Sequence, residues 1–386
     1  MNRRGFLAAS AGVLAVGALS ETILRAAPAS APDGMQYAPR QAMPKSVVKP
    51  GEFVIAASHL DHGHIYAQCK ALIDAGATLK WVYEPDEKKR AAFLKRHPGL
   101  KVARAYDEIL DDPEVRLVTT AAIPCERGPL ACRAMEAGKD YFTDKPPFTT
   151  LTQLAQARET AARTGRKYMV YYSGRIHSEA GVFATGLVRD GAIGRVLQVI
   201  CLAPHRLNAA KRPRWFFERE KYGGILCDLG SHQFEQFLAY TGADDATVSA
   251  SAVANFNNPD HPGLEDFGEA LAIAPNGASL YTRVDWFTPA GLGAWGDGRV
   301  FILGTKGTIE LRGYIDVARE RTENHVYIVD EKNERHLNVT GQTGFPFFGQ
   351  LILDCLNRTE NAMTQTRAFK AAELSLAAQA AARRLA

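Results

Sequence analysis

The sequence predicts two joined units: an α/β half on a doubly wound parallel sheet, then an α+β half on a mostly antiparallel open sheet. Three observations carry this expectation. The chain has 386 residues, more than one ordinary core accommodates. Between residues 51 and 172, short apolar runs alternate with segments of helical spacing, the pattern of βα units around a parallel sheet. After residue 172 longer β-rich runs follow one another.

The elements follow in order. "EFVIAAS" (52–58) reads as a buried strand, and "GHIYAQCKALIDAG" (63–76) as a helix stopped by glycine. "ATLKWVYEP" gives a second strand, ended by Pro85. Asp86 then suits the cap of a helix over "DEKKRAAFLKRHPG". A short strand "KVARAY", a short helix "DEILDDP", a strand "VRLVTTAAIP" and a helix to Gly138 come next. "KDYFTDKPP" brings a strand to a loop, and "LTQLAQARETAARTG" and "RKYMVYYS" complete the half as helix and strand. In the second half the β-rich runs are "VLQVICLAPH", "ATVSASAVANF", "EALAIAP", "ASLYTRVDWF", "RVFILGT" and "GTIELRG". Helical segments interrupt them at 178–190, 228–241 and the C-terminus. No internal repeat is visible.

The hydrophobic fraction is 46% and the charged fraction 23%, both ordinary for a soluble protein. A net charge of +4 gives no basic footprint, so nucleic acid is not an expected partner. Six cysteines without a C-x-x-C form no disulfide framework and read as buried thiols. The N-terminus pairs Arg3 and Arg4 ahead of a short apolar run, with Ala29-Ser30-Ala31 as a cleavage site. It is similar to a twin-arginine signal peptide over residues 1–31. That similarity implies export to the periplasm or beyond, with no stable membrane insertion once the signal is removed. Residues 32–50 hold four prolines and read as a linker or an arm. The parallel unit is expected over 51–172 and the α+β unit over 173–386.

The stretch "HLDHGH" (59–64) stands where the first strand meets the first helix. A dinucleotide site needs glycines at this turn, a helix N-terminus for the pyrophosphate and an acidic residue ending the second strand. Glu84 meets the last requirement and favours NAD over NADP, because a 2′-phosphate would face its charge. Gly63 matches the last glycine of G-x-G-x-x-G, whereas Ser58 and Leu60 hold the earlier two positions. Cofactor contacts are expected from Ser58, His59, His62, Gly63, His64 and Glu84. A metal reading through His59, Asp61, His62 and His64 is the lesser alternative. Neighbouring residues at a turn rarely converge on one ion, and no distant carboxylate partner is evident. No metal ligand is therefore predicted.

"GKDYFTDKPP", with Asp144-Lys145-Pro146, resembles the E-K-P signature of the Gfo/Idh/MocA oxidoreductases, the glucose–fructose oxidoreductase and inositol dehydrogenase family. "GAIGRV" (191–196), "GGILCDLGSHQFE" (223–235) and "LGTKGTIEL" (303–311) resemble further family segments in the same order. Asp144 replaces the usual glutamate, and "PCERG" (124–128) replaces a P-N-x-x-H loop.

The resemblance implies a Rossmann half, a substrate half that assembles oligomers through its sheet, and an NAD(P)-dependent oxidoreductase acting on a sugar or polyol. Pro124, Asp144 and Lys145 join the cofactor contacts. Lys145 would hold the reacting oxygen, His232 would be the general acid/base, and Asp228 would orient substrate and imidazole. Asp228 and His232 are four apart in one helical segment, hence on one face. Arg175, His177, His205, Arg206 and Trp215 are candidate substrate contacts. An exported member must keep its cofactor tightly bound. Further readings stand beside this one: a redox-neutral NAD-dependent glycoside hydrolase and, in another class, a metal-binding or non-catalytic sugar-binding relative.

Overall fold

The computed structural model describes Met35, Tyr37, Pro39 and residues 45–385. The expected signal peptide lies outside these residues. The first half holds β1 (Val54–Ser58), β2 (Thr78–Tyr83), β3 (Lys101–Val102), β4 (Val115–Thr120), β5 (Asp140–Asp144) and β6 (Tyr168–Tyr171). They form one sheet in the order β3-β2-β1-β4-β5-β6, every pair parallel. This is the dinucleotide-binding order, with a crevice where it reverses between β1 and β4. Helices α1 (His64–Asp74), α2 (Glu87–Arg96), α3 (Tyr106–Leu110), α4 (Pro124–Glu136) and α5 (Leu151–Thr164) link the strands. All residues of β1, β5 and β6 are buried, as helices on both faces of a parallel sheet require. The Asp86 carboxylate accepts from Lys88 N and Lys89 N at the start of α2, the cap anticipated from sequence.

The second half holds α6 (Ser173–Ile176), α7 (Glu179–Arg189), β7 (Val196–Pro204), α8 (Arg219–Tyr222), α9 (Ile225–Asp228), α10 (Gly230–Thr241) and β8 (Thr247–Ala254). It continues with β9 (Phe267–Ile273), β10 (Ser279–Asp285), β11 (Arg299–Gly304), β12 (Gly307–Arg312), β13 (His325–Asp330) and β14 (Glu334–Asn338). It closes with α11 (Pro346–Asn357), α12 (Gln365–Ala381) and β15 (Arg383–Arg384). Nine strands run in the order β14-β13-β12-β11-β7-β10-β9-β8-β15. Only β7–β10 and β8–β15 pair in parallel. Burial alternates along β9 to β12, so one face meets helices and the other stays open. Strands β13 and β14 are not among the anticipated runs. The charged "DEKNERH" (330–336) that joins and fills them hides their period.

The last helix binds the halves together. Phe369 of α12 stacks on Tyr168 of β6 at 5.1 Å, and Tyr172 donates to the Ala368 carbonyl at 3.0 Å. Farther along, Gln379 Oε1 accepts from Leu226 N at 2.9 Å. All six cysteines are free thiols.

Candidate active site

A cavity opens between the carboxyl ends of β5 and β6 and the helix-covered face of the second sheet. Lys145 stands at the end of β5 and reaches it, at the edge where open α/β sheets bind ligands. Its ammonium donates to Asp228 Oδ1 at 2.8 Å and to the Asp228 carbonyl at 2.9 Å. Both side chains are nearly buried, so this charge-assisted pair holds Lys145 in one rotamer.

Asp228 ends α9, whose start is anchored twice. Ile225 N donates to the buried Glu265 carboxylate at 2.9 Å, and Leu226 N to Gln379. His232 lines the same cavity, and its Nδ1 has no hydrogen-bond partner among the described residues. Burial, reinforced by the charge of Lys145, holds its pKa well below the ordinary histidine value. The imidazole is therefore held in its neutral form. No hydrogen bond joins Asp228 to His232 among the described residues. This corrects the expectation that Asp228 orients the imidazole. The helix is interrupted at Leu229, between α9 and α10, and the Asp228 carboxylate is engaged by Lys145 instead.

The turn 59–64 is tightly self-bonded. His59 N donates to Tyr83 O, Leu60 N to Glu84 Oε2 at 2.6 Å, His62 N to Ala121 O, and His64 N to His62 Nδ1. His59 takes φ 52°, and its ring stands edge-on to Tyr83 and Tyr106. Burial drives its pKa down to about 4. Leu60 fills a small core beneath the turn with Ala57, Ile65, Val82 and Phe93. Asp61 pairs with Lys89 at 2.6 Å. Neither His59 nor Asp61 points to a shared ion.

His62 and His64 line the cavity and meet Asp144. Their Nδ1 atoms lie 3.3 Å and 2.9 Å from its two carboxylate oxygens. Burial raises the Asp144 pKa, but His64, Arg127 and His62 outweigh it and hold the carboxyl well below its usual range. Asp144 is thus the distant carboxylate that the sequence does not reveal.

A dinucleotide fits this edge in outline. The amides of Asp61 and Gly63 have no partner among the described residues and sit at the N-terminus of α1, where an anion is favoured. Glu84, buried just beyond β2, has the position at which a dinucleotide fold places its ribose-binding carboxylate, and its two oxygens already accept from Leu60 N and Asp86 N. Ser58 closes β1 with its hydroxyl buried, and Pro124 begins α4. These groups would hold the dinucleotide, and Lys145 and His232 would face its nicotinamide end.

The substrate candidates divide. His205 lines the cavity between Trp286 and Trp295, at centroid distances of 5.5 and 4.5 Å. Burial lowers its pKa to about 3. Arg175 does not face the cleft: its guanidinium is spent on the buried Glu235 carboxylate, with Nε 2.9 Å from both oxygens. His177 also turns away, bonded to Tyr171 Oη at 2.5 Å and packed on Phe345 and Phe348. Arg206 is tied to the Leu292 and Ala294 carbonyls. Trp215 is buried behind Phe216, which lines the cavity in its place.

Sequence reasoning does not single out Arg212, Tyr314 or Tyr37. Arg212 lies over the Phe216 and Trp286 rings at 4.7 and 5.1 Å. Tyr37, from the proline-rich arm, packs on Trp295 and Tyr314 of its own chain and donates to Glu323 at 2.5 Å. An isolated aromatic in that arm is the only signal the sequence offers.

Comparison with known proteins agrees with this architecture. Residues 60–172 match the family described as "Oxidoreductase family, NAD-binding Rossmann fold". Residues 183–310 match "GFO/IDH/MocA C-terminal domain". A solved structure of a putative oxidoreductase from Erwinia carotovora atroseptica SCRI1043 is 47% identical. It superposes with a TM-score of 0.85, over 87% of this chain and 100% of that one. The scyllo-inositol 2-dehydrogenase (NAD(+)) of Bacillus subtilis is 27% identical over 272 residues, 69% of this chain and 74% of that protein. A D-xylose dehydrogenase of Paenarthrobacter nicotinovorans is 27% identical over 158 residues, 38% of this chain. The match spans only 39% of that enzyme, and under half of two uncharacterized oxidoreductases. With its two family segments covering more than half its length in the expected order, the chain belongs to the Gfo/Idh/MocA family of oxidoreductases, whose N-terminal half is an NAD-binding Rossmann fold.

Proposed function

We propose that the protein oxidises or reduces a sugar or polyol at a secondary carbinol, with NAD as hydride carrier. The observation that carries the reading is the convergence of Lys145 and the unprotonated His232 on a cavity walled by Trp286, Trp295 and Tyr314. Aromatic walls with a few polar groups suit a carbohydrate ring. When bound, the nicotinamide supplies the hydride acceptor. His232 takes the hydroxyl proton as the C–H hydride leaves, and a carbonyl results. The Lys145 ammonium, held by Asp228, stabilises negative charge developing on that oxygen. Glu84 favours NAD over NADP.

Family relatives named for scyllo-inositol and D-xylose dehydrogenation support a polyhydroxylated substrate. Paired Arg3 and Arg4 support export, and among the described residues no helix is long and apolar enough to cross a membrane. The open sheet face bears exposed Leu271, Ile273, Leu303 and Val329, which supports self-association there.

The test has two parts. Natively purified protein is denatured and its extract analysed by mass spectrometry; NAD(H) is expected. Turnover of a panel of sugars and polyols is then followed, and His232→Ala should lower kcat by roughly 100-fold to 10,000-fold. Lys145→Ala and His232→Ala variants that both keep the wild-type rate would remove the assignment.

A further inference from the structure

We propose that His62, His64 and Asp144 form a binding site for one divalent transition-metal ion, open towards the cavity. The two histidines come from the first turn of the parallel sheet, and the aspartate from the end of β5, 80 residues on. One ligand atom from each lies within 4.8 Å of the other two. Ligand atoms around a first-row ion bound at about 2.0–2.2 Å lie within about 4.4 Å of one another, so the three atoms stand near the spacing that one shared ion needs. Two imidazoles and one carboxylate are the donor set of open, three-ligand sites.

Residues two apart on a regular helix point to different sides. His62, however, precedes α1, so its ring swings back to meet that of His64, with centroids 4.2 Å apart. The bonding inside the cluster holds the three side chains against one another. His64 N–H donates to His62 Nδ1 at 3.2 Å, and His64 Nδ1 lies 2.9 Å from Asp144 Oδ1. Asp144 Oδ2 lies 3.3 Å from His62 Nδ1. The Nδ1–carboxylate separations of the two histidines are thus close to the spacing of adjacent ligands on one ion.

The remaining contacts of the carboxylate are Lys145 N to Oδ1 at 2.8 Å and Arg127 Nη2 to Oδ2 at 3.4 Å. Arg127 also donates to the Ala122 and Pro146 carbonyls, which fixes Asp144 from behind. Asp144 is fully buried, whereas His62 and His64 reach the cavity. The open positions of the ion therefore face the same space as Lys145 and His232. Hydroxyl or carbonyl oxygens of a polyhydroxylated ligand are the chemistry such an ion takes there. The alternative is that the three side chains form a hydrogen-bonded cluster and nothing more.

Tag-free, chelator-dialysed protein separates the two. It is titrated with ZnCl2 by calorimetry and with CoCl2 by visible absorbance. Wild type should bind one equivalent of each. His62→Ala and His64→Ala should each weaken binding at least ~100-fold, beyond the loss typical of residues that only support a ligand. His97→Ala should not change it. His64 is the more exposed histidine, so its variant carries the test if His62→Ala fails to fold. Absence of saturable binding to wild type, or undiminished binding in folded His64→Ala, would overturn the site. The readout needs neither NAD nor a sugar, so either result leaves the oxidoreductase reading to its own experiment.

Discussion

At the scale of single residues, burial decides what each charged group can do. His232 has its pKa depressed first by burial and then by Lys145. A base with a lowered pKa stays unprotonated through the neutral range and is lost only when acid reaches that lower value. The kcat/KM profile should therefore stay flat from pH 8 to below pH 6.5, with its acid limb lower still. An acid limb centred at or above pH 6.5 would show that another group is the base. Arg175 illustrates the opposite case, a charge wholly absorbed by structure. Removing one member of a buried pair strands the other, at a cost of about 3–5 kcal/mol. Arg175→Ala should be strongly destabilised in denaturant melts, while Arg175→Met with Glu235→Leu should recover most of the loss. A single variant as stable as wild type would contradict the pairing.

At the scale of elements, the short helix α9 places Asp228, and glycine makes its start possible. Gly224 has φ 94°, and a Cβ there would lie 2.3 Å from the Gln379 side chain. Gln379 is the group that anchors Leu226 N. Gly224→Ala should therefore cost about 1–3 kcal/mol from backbone strain alone and also lower kcat, because α9 must shift and carry Asp228 with it. A variant with altered stability but wild-type kcat would show that α9 does not position the Lys145–Asp228 pair.

The same elements show what a sequence can disclose. Asp86 capping α2, Glu84 ending β2 and Lys145 ending β5 are legible because each signal is local. So are the alternating runs that give the strand order its form. The contacts that decide which candidates join the site are not local. His64 meets Asp144 across 80 residues and Arg175 meets Glu235 across 60. Nothing near Arg175 tells a cleft arginine from a buried one. Leu229 keeps helical backbone angles across the junction of α9 and α10, so Asp228 and His232 do reach one cavity, but the sequence does not show that Lys145 takes the Asp228 carboxylate.

At the scale of the whole molecule, the buried histidines make stability depend on acidity. His177 and His205 are both held near pKa 3 by burial, and His59 near 4. Their unfolded values are about 6.5. A depressed histidine gives stability that is present above the unfolded pKa and fades as pH falls towards the folded one. Between pH 7 and pH 5 the unfolded chain gains protons that the fold refuses. His177 and His205 should each contribute about 2 kcal/mol of loss over this interval. Glu84 and Asp285, whose pKa values burial raises, act in the opposite sense. Their windows open upward from ordinary carboxylate values, below most of this interval. The histidines therefore prevail, and Tm should fall by several degrees from pH 7 to pH 5. His177→Gln keeps an acceptor for the Tyr171 hydroxyl but takes up no proton, so it should show a visibly shallower fall in calorimetry. A Tm that holds or rises towards pH 5, or a His177→Gln variant with the full wild-type slope, would show that these imidazoles are not buried neutral in the fold.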